Sequence, residues 1–208
     1  MTAFQASLLD TGVEVAFGPL GRTVRRLELG DGAWLDLRPR WVTGADTLFD
    51  RLRDGVAWHA ERRPMYDRVV DVPRLLHFVD ERTPLPDPAL VRAKAALDAH
   101  YEPELGERFA TAGLCLYRDG RDSVAWHGDR IGRGGTHDTM VAIVVLGAPR
   151  AFAVRPAGGG PSRRFEFGHG DLVVMGGSCQ RTWEHCVPKT GKPVGPRISV
   201  QFRTRGVR

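Results

Sequence analysis

Lysine is almost missing from this 208-residue sequence: of its 30 basic residues only Lys94, Lys189 and Lys192 are lysines. The formal net charge of +5 therefore sits almost wholly on arginine, whose guanidinium grips phosphate with two parallel hydrogen bonds, so a nucleic-acid partner is permitted. The 25 acidic residues nearly balance the basic ones, and a codon bias enriching Arg, Gly, Ala and Asp accounts for the counts equally well. Charge alone decides nothing.

Cysteine is scarce too. Cys115, Cys179 and Cys186 are an odd number without framework spacing, which argues against a disulfide scaffold and for a reducing compartment. No stretch approaches the roughly 18 uninterrupted apolar residues of a membrane helix, and residues 1–21 hold no basic segment followed by an apolar run. The expected setting is cytoplasmic, away from membranes. No internal repeat divides the chain, and its length fits a single domain, 1–208, with a sizeable core.

Val13–Phe17 and Ala33–Arg38 alternate apolar with polar residues and read as strands. Leu48, Phe49, Leu52 and Val56 recur at helical spacing, with Thr43 or Asp46 as cap and Gly55 near the end. Residues 58–72 mix aromatic, arginine and proline residues without a clear period; they read as an ordered loop near a surface site, or as an ordinary connection with a few packed aromatics. A helix entered through Pro88 is expected over 88–97. Beyond Phe109, strands are expected at 113–117, 124–127, 139–146, 150–155, 163–167, 171–176, 182–187 and 197–203, separated by glycine-rich turns. Such a succession, with helices confined to the first half, indicates an α+β, mainly β chain. Its core is a jelly-roll (double-stranded β-helix) over 109–205, with supporting helices in an N-terminal extension, 1–108.

A histidine–aspartate pair occurs twice, as His127-Gly128-Asp129 and His169-Gly170-Asp171. In extended backbone residues i and i+2 share a face, so such a pair can converge on one metal. The second copy lies between two apolar strands in a segment rich in glycine, and turn chemistry explains it better. The first has a downstream partner in His185, within the apolar segment 182–187; His137, in a polar glycine-rich loop, is the poorer competitor. Two histidines and one carboxylate leave coordination positions open for substrate and dioxygen, as in non-haem iron(II) oxygenases. Further on, Arg197 and Arg203 share one face of a strand. Buried together they would need anions, which a dicarboxylate cosubstrate supplies. If Ile198, Val200 and Phe202 form the buried face, both arginines are solvated, and parity alone favours that arrangement.

His127-Gly128-Asp129, His185 and the Arg197–Arg203 spacing, with Leu116-Tyr117-Arg118-Asp119, Asp122-Ser123-Val124 and residues 170–175, resemble the AlkB-like iron(II)/2-oxoglutarate-dependent dioxygenases over residues 33–205. The resemblance implies that His127, Asp129 and His185 ligate Fe(II), that Tyr117 and Arg197 hold the distal carboxylate of 2-oxoglutarate, and that Arg203 supports the inner end of the site. It implies O2-dependent decarboxylation of 2-oxoglutarate to succinate and CO2, hydroxylation of a carbon bound to nitrogen, and loss of formaldehyde. The partner implied is alkylated DNA or RNA, handled by a monomeric repair enzyme. Two family asparagines are replaced, by Cys115 two residues before the tyrosine and by Ser199 two after the first arginine; Ser199 can still hydrogen-bond the cosubstrate. A carboxylate common two positions after the metal aspartate is Ile131. In DNA-repairing relatives the segment before the barrel forms a lid over a flipped base, and Trp58, Arg62, Met65 and Tyr66 occupy the comparable stretch; with Ile131 they are the expected substrate contacts. Two other readings remain open: the same chemistry on a protein or small molecule, and a non-catalytic nucleic-acid-binding jelly-roll.

Overall fold

The computed structural model describes residues 14–65 and 68–207, with the side chains of 63–70 outside the description. Strands β1 (Ala16–Phe17), β2 (Arg25–Gly30), β3 (Ala33–Arg38) and β4 (Val42–Thr43) lead into helix α1 (Ala45–Gly55). A hairpin of β5 (His59–Met65) and β6 (Arg68–Val79) precedes helix α2 (Pro88–Leu105). Then come β7 (Phe109–Tyr117), β8 (Val124–His127), β9 (Val141–Gly147), β10 (Arg150–Pro156), β11 (Arg163–Phe167) and β12 (Asp171–Gly177). One helical turn, α3 (Cys179–Thr182), leads to β13 (Trp183–Val187), and β14 (Arg197–Thr204) closes the fold.

Eight strands form the major sheet, in the order β2-β3-β12-β9-β14-β7-β6-β5, and four the minor sheet, β11-β10-β13-β8. Their pairings are antiparallel, and the two sheets face each other as the expected jelly-roll. The major sheet's central strands feed two separate cores. Ala142, Val144 and Leu146 of β9 pack outward with Leu48, Leu52, Leu90 and Leu97 of the helices, each buried leucine contributing about 1.5–3 kcal/mol. Val141, Ile143 and Val145 pack inward against Phe152, Val154 and Trp183 of the minor sheet. A strand covered on both sides has no solvated face, hence the unbroken apolar run of β9.

The same double cover decides the parity question in β14. Ile198, Val200 and Phe202 do form a buried face, toward the helices. The opposite face is also enclosed, so Arg197, Ser199 and Gln201 are buried rather than solvated.

Helix α1 starts after Gly44, whose φ of 66° is left-handed; neither Thr43 nor Asp46 is its cap. Helix α2 is capped by Asp87, whose carboxylate accepts the Ala89 N–H at 2.7 Å, with Pro88 at its first position. It runs past residue 97 because Tyr101 extends the buried stripe, and it stops at Gly106, with φ of 74°. Residues 58–72, expected as a loop, are mostly strand. A bulge between Ala60 and Arg62 breaks the β5–β6 register, which hides the period of two. The strand expected from Val13 begins at Ala16, Val13 itself lying outside the described residues. Among the described residues no helix is long and apolar enough to cross a membrane.

Candidate metal and cosubstrate site

Sheet pairing builds the first half of the site. In the β8–β13 ladder His127 stands directly opposite His185, and their ring centroids are 4.2 Å apart. Strand β8 ends there. Gly128 then lets the chain pass close to α3, where a Cβ would lie 2.6 Å from the Gln180 carbonyl oxygen. The next residue, Asp129, donates its backbone N–H to Gln180 Oε1 at 2.9 Å.

Hydrogen bonds orient each donor atom. His127 Nδ1 lies 2.9 Å from the Ala125 carbonyl oxygen; a carbonyl only accepts, so Nδ1 carries a proton and Nε2 presents a lone pair. Nε2 stands 3.9 Å from Asp129 Oδ1, while Asp129 Oδ2 accepts from Arg203 Nε at 2.7 Å. One ligand atom from each of His127, Asp129 and His185 lies within 4.8 Å of the others. Burial, with a smaller contribution from His127, pushes His185 down to about 3, leaving a neutral imidazole at neutral pH. Burial pushes the Asp129 carboxyl up, but Arg203 and the two imidazoles outweigh it and hold the group below the usual carboxylate range. Both are thus in the protonation state that binds a cation, and two nitrogens with one oxygen suit iron(II) with positions left open.

One cavity joins this cluster to the inward face of β7 and β14, where Tyr117, Arg197, Ser199 and Gln201 form its wall. Tyr117 and Arg197 are register partners. Arg197 is 2% exposed, and its Nε and Nη1 have no hydrogen-bond partner among the described residues. A buried guanidinium without an anion is costly, and burial pushes its pKa down. A carboxylate accepting from one of these nitrogens would supply the missing counter-charge. The residues present therefore fit a metal at one end of the cavity and the carboxylate of 2-oxoglutarate at the other.

Arg203 bonds Asp129, and Ser199 Oγ accepts from Gln201 Nε2. Residues that sequence reasoning missed are Gln180, Gln201, Phe152 and Arg74; Arg74 lines the cavity and gives Nη1 to the Ser123 carbonyl at 3.1 Å. Isolated glutamines carry no periodic signal, and Arg74 belongs to a strand whose pattern the bulge obscures.

The expected substrate contacts are less concentrated. Trp58 is half-buried and packs against the helix-side core, its Nε1 donating to the Arg53 carbonyl at 3.0 Å, because the end of α1 offers the indole both apolar cover and an acceptor. Arg62 is exposed and pairs with Asp71 at 3.1 Å. Ile131 is 71% exposed on the loop after Asp129. The Met65 side chain and Tyr66 lie outside the described residues.

The second histidine–aspartate copy is a clasp. His169 Nδ1 accepts the Gly147 N–H at 2.8 Å, which places its proton on Nε2, 3.1 Å from Asp46 at the start of α1. Asp171 accepts from the Arg40 and Gly168 N–H groups. His169→Ala is accordingly expected to destabilise the fold by about 1–3 kcal/mol while iron per chain stays at the wild-type level. Thermal unfolding and metal analysis check both.

Residues 50–203 match the model of the 2OG-Fe(II) oxygenase superfamily. Alpha-ketoglutarate-dependent dioxygenase alkB homolog 3 of Bos taurus is 30% identical over 210 residues, covering 92% of this chain and 69% of its own. DNA oxidative demethylase ALKBH2 of Arabidopsis thaliana is 32% identical over 133 residues, covering 53% of this chain and 42% of its own. Among solved structures, OsALKBH1 superposes with a TM-score of 0.57 at 13% identity, covering 87% of this chain and 100% of that one. The family uses Fe(II), 2-oxoglutarate and O2. A family match over three-quarters of the chain and a relative similar over nearly its whole length agree with the donor set found in the cavity: the chain belongs to the 2OG-Fe(II) oxygenase superfamily, as an AlkB-like iron(II)/2-oxoglutarate-dependent dioxygenase.

Proposed function

We propose that this dioxygenase removes alkyl groups from N-alkylated nucleobases of DNA or RNA. In this reading His127 Nε2, Asp129 Oδ1 and His185 hold the iron, and Arg197 with Tyr117 holds the distal carboxylate of 2-oxoglutarate. The observation that carries it is one cavity combining a three-ligand cluster with a buried cation that has no anion among the described residues. Bound iron, 2-oxoglutarate and O2 would supply an oxidation that yields succinate and CO2 and hydroxylates the alkyl carbon bound to nitrogen, which then leaves as an aldehyde, formaldehyde from a methyl group.

The chain's own part is orientation and exclusion of water. Arg203 occupies Asp129 Oδ2, which leaves Oδ1 as the free ligand atom. Phe152 stacks on His185 at 5.6 Å and fixes the ring's plane. Val141, Ile143 and Val187 line the cavity with apolar surface. A nucleic-acid substrate is supported by the relatives' names and by a basic complement that is nearly all arginine. One observation favours a protein or small-molecule substrate instead: the loop beside the metal ligand presents Ile131, which has no hydrogen-bonding group to offer a base.

Incubation of the iron-loaded protein with oligonucleotides bearing 1-methyladenine or 3-methylcytosine, single-stranded and duplex, tests the proposal. Formaldehyde and succinate are expected in equal amounts, both lost on chelation of the iron. Succinate without formaldehyde from any alkylated oligonucleotide would transfer the activity to the second substrate class.

A further inference from the structure

The sequence contains no asparagine and three glutamines, Gln5, Gln180 and Gln201, and Gln201 is buried in the cavity wall. Its amide is held at both ends. Nε2 donates to Ser199 Oγ at 2.5 Å and to the Ser199 carbonyl at 3.3 Å, while Oε1 accepts from Cys115 Sγ at 3.7 Å. The carbonyl settles which way the amide points, because a carbonyl oxygen only accepts and the group facing it must be the NH2. Gly113, the register partner of Gln201, makes the room: a Cβ there would lie 3.1 Å from Gln201 Oε1 and 2.8 Å from Arg203 Nη1.

This fixed amide dictates the next hydrogen. Ser199 Oγ receives a hydrogen from Gln201, so its own is turned away from Gln201, on the cavity wall that Ser199 shares with Tyr117 and Arg197. Arg197 has only donors to offer. Burial pushes the Tyr117 pKa up, so its hydroxyl keeps its hydrogen.

We propose that Gln201 is a positioning residue for the cosubstrate: by filling the acceptor side of Ser199 Oγ it fixes that hydroxyl as a donor, so that Ser199, Tyr117 and Arg197 present donors alone to one carboxylate. Gln201 itself touches no cosubstrate atom. A donor-only array selects a carboxylate over an amide or alcohol, whose own hydrogens would find no acceptor. The inference rests on the placement of 2-oxoglutarate proposed above.

Gln201→Met keeps the side chain's length and removes both amide functions. The anaerobic Fe(II) protein is titrated with 2-oxoglutarate, and the Kd is read from the charge-transfer absorption of the complex. In Gln201→Met and in Ser199→Ala the Kd is expected to rise about tenfold, with iron per chain unchanged. The double variant should be no weaker than the weaker single one, because both act on one chain of bonds. A wild-type Kd in either single variant, or multiplied effects in the double, would overturn the relay. Should Gln201→Met not fold, Gln201→Leu, which also lacks both amide functions, takes its place. A wild-type protein that gives no absorption change with 2-oxoglutarate would overturn the placement of the cosubstrate, and the relay with it.

Discussion

Arg197→Met is expected to abolish 2-oxoglutarate-dependent turnover while leaving the thermal unfolding midpoint unchanged or higher. The two signs have one cause. Arg197 is 2% exposed, and two of its nitrogens lack a hydrogen-bond partner among the described residues. Its cation lies 5.2 Å from the Tyr117 ring centre, and the nearby charge of Arg150 adds to the unfavourable effect of burial. Keeping such a charge in the interior costs several kcal/mol, which a methionine of similar length avoids while filling the same space. The protein has therefore given up stability for a binding group. The loss of function comes from the ligand side. Each charge-assisted hydrogen bond to the carboxylate contributes about 1.5–3 kcal/mol, so removing the guanidinium should weaken 2-oxoglutarate binding about 10²-fold. Succinate production and the anaerobic Kd measure one sign, and circular dichroism melting measures the other. A variant that keeps the wild-type Kd would remove Arg197 from the site.

How much of this was legible in the sequence depends on how local each cause is. His127 and Asp129 could be paired from their spacing because two residues in extended chain share a face, and the glycine-bounded copy at 169–171 could be set aside as turn chemistry; His169 and Asp171 indeed hold backbone amides. Strand β14 was harder. Alternation says which residues share a face, but not whether the other face meets solvent or a second sheet, so Arg197 could be read as solvated until the minor sheet and the helices were seen to cover both sides. The hairpin at 59–79 was illegible for a different reason: the Ala60–Arg62 bulge shifts the alternation, and pairing with β7 imposes extended backbone that no local period announces. Gln201 and Gln180 owe their positions to partners 86 and 51 residues away, Cys115 and Asp129. Sequence spacing carries no trace of such contacts.

The contrasting experiment is Asp129→Asn, which is expected to cost both metal and stability. Asp129 and Arg197 are the two buried charges of the cavity, but among the described residues only Asp129 has an oppositely charged partner, Arg203 at 2.7 Å. Asparagine is nearly isosteric, so shape is kept and the change is electrical. If its NH2 faces Arg203, two donors oppose each other; if it faces His127 Nε2, no lone pair is left for a metal at that position. Either way Arg203, whose side chain is 16% exposed, loses its counter-charge, and breaking a buried pair from one side costs about 3–5 kcal/mol. Iron affinity should fall at least about 10²-fold, the range seen when groups at or next to a metal are changed, and turnover should fall with it. Iron per chain after gel filtration and the melting midpoint of the metal-free protein separate the two effects. The metal-free midpoint is the sharper readout. It should drop in Asp129→Asn and hold or rise in Arg197→Met, because one substitution strands a buried charge and the other removes one. Stoichiometric iron in Asp129→Asn would show that this carboxylate is not a ligand.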